Sequence, residues 1–256
     1  MAVHPVARVV EREVRVYRRM WRGLAFSAFL APILFLVAMG FGLGDLVDEN
    51  AGDVGGVGYL EFIAPGLLVA SAAQTAAGES LWPVLAGIKW MRFYQGMIAT
   101  PMEAAHVYGG VVVWNGLHAV LTATAFLGVG AVVGAIPSWW AVLAVPAAAL
   151  TACAVSAPIA AFSATQESDT GFPVVLRLVI QPLFLFSGAF FPISQLPSVL
   201  EAFVRVSPLY HGVELARAAT LGTYDASVFA HVAVLGAFTA VGALAGTRAF
   251  ARRLAA

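Results

Sequence analysis

Six apolar stretches, each close to the length that crosses ~30 Å of hydrocarbon as a helix, leave this chain little choice of fold. They run near 24–44, 59–81, 107–133, 142–163, 172–191 and 227–250, with short polar segments between them. In lipid, backbone N–H and C=O groups must be satisfied within the element, so the stretches specify an all-α polytopic membrane protein with six transmembrane helices. Composition agrees. Of 256 residues, 61% are hydrophobic and 11% charged, too little polar surface to coat a water-soluble domain. A formal net charge of zero removes any electrostatic case for nucleic acid. The single cysteine, Cys153, has no intramolecular partner and reads as a small packed residue. The N-terminus does not read as a cleavable signal: its charged region is long, and its apolar run spans a full bilayer.

Charge sets the expected topology. In residues 6–23, VARVVEREVRVYRRMWRG, arginines 8, 12, 15, 19 and 22 recur at three- and four-residue steps, as one helix face requires. This predicts an N-terminal interfacial helix on the cytoplasmic surface, with Arg15, Arg19 and Arg22 available to a partner. A plain topology signal with snorkelling arginines is an equally compatible reading. Lys89 and Arg92 follow span two, and Arg248, Arg252 and Arg253 follow span six, whereas the loop over 45–58 is acidic. The opposite face has only Arg205 and Arg217, so the positive-inside rule puts both termini in the cytoplasm. After span five the chain breaks into a proline-punctuated segment, 192–217, with stops at Pro192, Pro197 and Pro208. Val199, Leu200, Phe203, Val204 and Val206 keep near-helical spacing there, but the helix is too short to cross. It is expected to lie at the outer face as a broken-helix cap between spans five and six.

Catalytic patterns are missing. The chain's one lysine, Lys89, follows isoleucine, so no phosphate-binding GxxxxGK[ST] loop exists. His4, His106, His118, His211 and His231 form no HExxH pair, and there is no GxSxG elbow or GxGxxG loop. No catalytic, metal or cofactor site is expected on this chain. Glu61 and Glu79, at the two ends of span two, are pathway candidates because ionisable groups at membrane depth tend to be functional. Reaching headgroups or water is their ordinary alternative. Asn115 and His118, three apart on span three, are further candidates, with helix-to-helix hydrogen bonding the plainer reading. Gly40/Gly44, Gly130/Gly134 and Gly242/Gly246 are small-xxx-small pairs of the kind that let helices approach closely. The apolar interior suits a hydrophobic or amphiphilic cargo better than an ion-coupled mechanism.

Three stretches together resemble the permease subunit of a bacterial ABC-2 type transporter. They are the basic N-terminal helix; residues 64–110, with Ala99-Thr100-Pro101 in the position of the family's turn; and residues 184–218, with Gly188, Phe191-Pro192, Leu196-Pro197 and Pro208-Leu209-Tyr210-His211 in order. The 64–110 stretch is most similar to the nodulation-type lipo-oligosaccharide exporters and to daunorubicin-type drug-efflux permeases. The resemblance implies one transmembrane domain over 1–256 with a cytoplasmic coupling helix in 82–106. It also implies two copies of a separate ATPase carrying ATP and Mg, and a second permease copy or a related permease. The cargo would be an amphiphile: a drug-like compound or antibiotic, a lipid or a lipid-linked saccharide. Lys89, Trp90, Arg92, Phe93, Tyr94, Thr100 and Pro101 would carry the ATPase contact. Gly188, Phe190, Phe191, Pro192, Pro197, Pro208, Tyr210 and His211 would form the outer gate. The coupling segment departs from the family in being sparsely charged, with Gly96-Met97-Ile98 where charges are common, which points to a more apolar groove on the partner. Two other classes remain open at this stage: a non-transporting assembly protein, and an intramembrane lipid-modifying enzyme, for which no polar cluster is visible.

Overall fold

A computed structural model describes residues 4–44 and 56–255. The acidic loop after span one lies outside the described residues. Nine helices follow one another among them: α1 (Pro5–Leu36), α2 (Tyr59–Leu85), α3 (Phe93–Ile98), α4 (Ala104–Val133), α5 (Ala144–Thr165), α6 (Phe172–Phe186), α7 (Ser198–Val206), α8 (Pro208–Leu221) and α9 (Ser227–Ala255). Two of them run on as π-helical turns, α1 over Val37–Gly44 and α2 over Ala86–Trp90. By length and composition, the helices over Tyr59–Trp90, Ala104–Val133, Trp139–Thr165 and Ser227–Ala255 can each cross a membrane.

At the centre stands α5, which packs against α2, α4, α8 and α9. Its sequence, AVPAAALTACAVSAPIAAFSAT, explains the position, because small side chains let four neighbours approach. Gly242 of α9 meets the backbone of Ala157 and Pro158, and a Cβ added there would lie 2.7 Å from Pro158 N. One turn later, Gly246 receives the ring of Tyr108. The Tyr108 hydroxyl makes contacts of 3.0 Å to the carbonyl of Ala157 and 2.9 Å to that of Gly242, tying α4, α5 and α9 together. The Gly242/Gly246 pair is thus a packing device.

Two expectations change on contact with the structure. The surface helix expected over 6–23 and the span expected over 24–44 form one uninterrupted helix. Thirty-two residues rise about 48 Å, longer than the ~30 Å hydrocarbon core. No proline interrupts the chain between Pro5 and Pro32, and Val9, fully buried, fills the cleft at Gly110. The N-terminal half of α1 therefore runs alongside α4, with His4 near His106 and Tyr17 near Trp114.

The fifth apolar stretch is also shorter than expected: α6 stops at Phe186 rather than 191. Fifteen residues give about 22 Å, less than a crossing. Pro182 has no N–H for the Leu178 carbonyl, and the helix widens to a π turn over Leu176–Ile180. Gly188 then takes φ +84°, a left-handed conformation that reverses the chain.

Candidate functional site

The expected coupling segment, called the lever below, begins where α2 leaves the core. After the π turn, Arg92 adopts φ 51°, the lone non-glycine residue with positive φ among the described residues, and swings the chain into α3. The Gln95 side-chain amide donates to the carbonyl of Ile88 at 2.6 Å and fixes that corner. At the end of α3, Thr100 turns its hydroxyl back to the Met97 carbonyl (2.6 Å), and Pro101 interrupts the helix. The next helix starts not at this turn but a few residues later, at Ala104. It is Glu103 that caps α4, in a reciprocal box with His106, whose Nδ1 accepts from the Glu103 amide at 3.1 Å.

Burial sorts the expected ATPase-contact residues. Trp90 is 54% exposed, and Arg92, Thr100 and Pro101 are also exposed. Tyr94 is a correction: at 2% exposure it cannot anchor a partner. It packs against Phe250 of α9 at 5.9 Å and closes over Gly87, and burial raises its phenol pKa above the ordinary value. Phe93 is half-buried beneath the Arg12 guanidinium, 3.7 Å from the ring centroid. Lys89 donates to the backbone carbonyl of Glu167 and lies 4.0 Å from its carboxylate, which also accepts from Arg253. Sequence reading missed this bridge between the lever, the loop after α5 and the end of α9. The Arg253 hydrogen bond holds the Glu167 carboxyl below its ordinary pKa, with the charges of Arg253 and Lys89 adding to it. On α1, Arg15, Arg19 and Arg22 are exposed, and Arg15 pairs with Glu11 at 2.6 Å.

The opposite end holds the broken segment, and it is no surface lid. Ser207 caps α8, accepting from Tyr210 N at 3.2 Å, with Pro208 in the first turn. From there α8 packs between α2 and α5 and reaches α9. Gly212 abuts Thr151 and Val69, and Gly222 abuts Ser138 just ahead of α5. The hairpin of α7 and α8 therefore re-enters the helix bundle through α8. The corrected position follows from α8's own residues: Leu209, Gly212, Val213, Ala216 and Ala219 are all buried, a small-residue face suited to insertion. In contrast, α7 keeps Val199, Phe203 and Val206 exposed.

Pro192 leads into a short 3-10 turn over Ile193–Gln195, and Pro197 precedes α7. Half-buried Phe190 lies 5.3 Å from Phe184 and 6.2 Å from Phe35, while Phe191 lies 6.3 Å from Phe186. Tyr210 and His211 face α9, where His211 Nδ1 and His231 Nδ1 are 2.7 Å apart. The residue that locks this region is Arg217, which pattern reading treated only as a charge. It donates to the Gly188 carbonyl and to Glu214, both at 2.6 Å, and lies 4.1 Å over the Phe62 ring. Its side chain is 14% exposed.

The polar candidates on span three become two clusters. Asn115 Nδ2 donates to Ser80 (2.9 Å) and Ser156 (2.7 Å), and the two serine hydroxyls are 2.8 Å apart, joining α2, α4 and α5. His118 Nδ1 lies 2.8 Å from Glu79 Oε1. Glu61 lies in the first turn of α2, far along the helix from this pair. Among the described residues no group of three or more His, Cys, Asp or Glu side chains could hold a metal.

Apolar helices of crossing length, gathered on one small-residue helix with a lever at one end and a re-entrant hairpin at the other, define an integral membrane protein. A model of the ABC-2 type transporter family matches residues 6–221, and the chain belongs to that family. It is 31% identical over 247 residues to Nodulation protein J of Rhizobium leguminosarum bv. viciae, covering 93% of each chain. Against Nodulation protein J of Bradyrhizobium diazoefficiens it is 32% identical, covering 93% of this chain and 92% of the relative. Inner membrane transport permease YadH of Escherichia coli is 24% identical, with 89% and 87% covered. The chain is therefore the membrane subunit of an ABC transporter rather than an enzyme, and its family implies an ABC ATPase subunit as partner.

Proposed function

We propose that this chain is the permease of an ATP-driven exporter that moves a hydrophobic or amphiphilic substrate out of the cytoplasm or inner leaflet. The complex contains two ATPase subunits, holding ATP and Mg, and a second permease, identical or related. Both termini are cytoplasmic in a bacterial cytoplasmic membrane, α1 supplies the first crossing, and α6, too short alone, completes the fifth together with α8. The likeness to Nodulation protein J favours a lipid-linked saccharide, and a drug-like amphiphile is the other cargo class.

One observation carries the reading: α2 leaves the core through a π turn into a short exposed corner bearing Trp90, Met91 and Arg92, with Met91 70% exposed. Aromatic and arginine side chains concentrate binding energy at interfaces. Closure of the ATPase pair would push this corner, and the motion would pass along α2 to Phe62 and Gly66, which contact the Arg217 clamp and Ala189.

Affinity purification of the tagged chain from bacterial membranes in mild detergent tests this reading. A stoichiometric P-loop ATPase is the expected companion. Recovery of the chain alone, under conditions that keep other ABC complexes intact, would overturn it. In the reconstituted complex, Pro101→Leu or paired charge reversal at Lys89 and Arg92 should lower substrate-stimulated ATP hydrolysis by about tenfold, with membrane insertion unchanged. Full stimulation in both variants would remove the lever role.

A further inference from the structure

A cavity of about 460 Å³ opens between α1, α2, α4 and the lever corner. Its walls are divided in chemistry. Val16, Met20, Pro83, Met91 and Val111 give an apolar side. Tyr17 and Trp114 give aromatic surface: their rings lie 5.8 Å apart, and both contact His118, at 5.2 and 5.9 Å. Two carboxylates, Glu13 and Glu79, also line it. Arg12, the cavity's lone guanidinium, is engaged by Glu13 and by the Phe93 ring. Glu79 Oε1 lies 2.8 Å from His118 Nδ1, but that nitrogen makes no hydrogen bond, and the other carboxylate oxygen, Oε2, is buried and also meets no donor. Pro83, four residues on, cannot donate to the Glu79 backbone carbonyl either.

An unpaired buried carboxylate oxygen is costly unless a donor or cation meets it. Anionic oxygen beside aromatic faces, on an otherwise apolar wall, is the chemistry that recognises an organic cation carried on an apolar body. Burial raises the Glu13 pKa, the adjoining Arg12 guanidinium works against that rise, and the Glu79 charge adds the smallest contribution upward. We propose that this cavity is a binding site for a cationic amphiphile, with the positive group at Glu79 beside the Tyr17 and Trp114 rings and the apolar body along Met20 and Met91. The assignment rests on the exporter reading and deepens it. The cargo, or its positively charged portion, is held on the inner side of α2 before transport, next to the corner that the ATPase would move.

Binding of radiolabelled tetraphenylphosphonium to the full chain in lipid nanodiscs, measured against empty nanodiscs, tests the site. The expected result is saturable binding that neutral triphenylphosphine oxide does not displace. Glu79→Gln should weaken it about tenfold, and Trp114→Leu should do so independently, because charge and ring contribute separately. Glu11→Gln, an exposed carboxylate on α1 outside the cavity, should leave it unchanged. Displacement by the neutral analogue, or undiminished affinity in both cavity variants, would overturn the site. No nucleotide or partner is needed for this measurement. Its failure with the ATPase still co-purifying would remove the site alone, and loss of the co-purifying ATPase would remove the exporter reading while leaving the binding result intact.

Discussion

Two arginines stand at the two breaks in this bundle, and their surroundings differ in kind. Arg92 marks the corner after α2, is exposed, and holds a strained left-handed backbone. Arg217 sits on the re-entrant hairpin, largely buried, with a carbonyl, a carboxylate and an aromatic face around its guanidinium. A charge removed from water needs several partners to be tolerated, and once paired it fixes the geometry of everything it touches. A charge in water imposes nothing on its own chain and stays available to another. The same residue type thus builds the fold at one end and a contact surface at the other.

The sharpest way to break this contrast is Arg217→Ala, which takes the shared donor from the Gly188 carbonyl and the half-buried Glu214. A loss of about 2–3 kcal/mol is expected, read as a lower unfolding midpoint in detergent, whereas Arg92→Ala should stay within ~0.5 kcal/mol of the parent. Equal effects would erase the distinction. Next in size, Gly246→Leu forces a side chain into the Tyr108 ring and should cost about 1–3 kcal/mol by overpacking, visible in the same melts. Ser156→Ala removes one of the two acceptors of Asn115 and should cost about 1–2 kcal/mol. A smaller loss would mean that Ser80 alone satisfies the amide.

The smallest effect concerns Glu167, whose pKa is depressed in the fold below its ordinary 4.5. A depressed carboxyl stabilises the fold at pH above that ordinary value, and the contribution fades as pH falls through the lower folded one. In Glu167→Gln, stability at neutral pH should be slightly lower than in the parent, and the acid limb below pH 4.5 flatter, so that the two profiles converge at low pH. An identical acid limb would show that the bridge to Arg253 does not outlast solvent screening.

Much of this architecture is readable from residues alone. Long apolar runs with few charges locate the helices over 59–81, 107–133, 142–163 and 227–250, because lipid permits few other structures. Prolines 192, 197 and 208 locate the broken segment. What escapes is whatever depends on a distant partner. Tyr94 looks like an interfacial anchor until Phe250, at the far end of the chain, covers it. The 6–23 helix looks separate from its span until Gly110 provides a cleft for Val9. Arg217 looks like one topology charge until the Gly188 turn brings a carbonyl to it. In each case the local pattern was correct and the burial was set by another helix. Asn115 and His118 lie between these extremes: their spacing marked a shared helix face, and the structure supplied the serines and Glu79 that the spacing could not name.

The widened turn between Ala86 and Trp90 has one more consequence. A π turn carries an extra residue compared with an α turn, so it is slack wound into the rod. Taking up that slack would rotate everything beyond it by about 100° around the axis without bending the helix. Deleting a single residue within 86–90 should do this permanently, turning the face that bears Trp90 and Met91 away from its present direction. A corner built this way behaves like a key in a lock, whose bearing matters more than its reach.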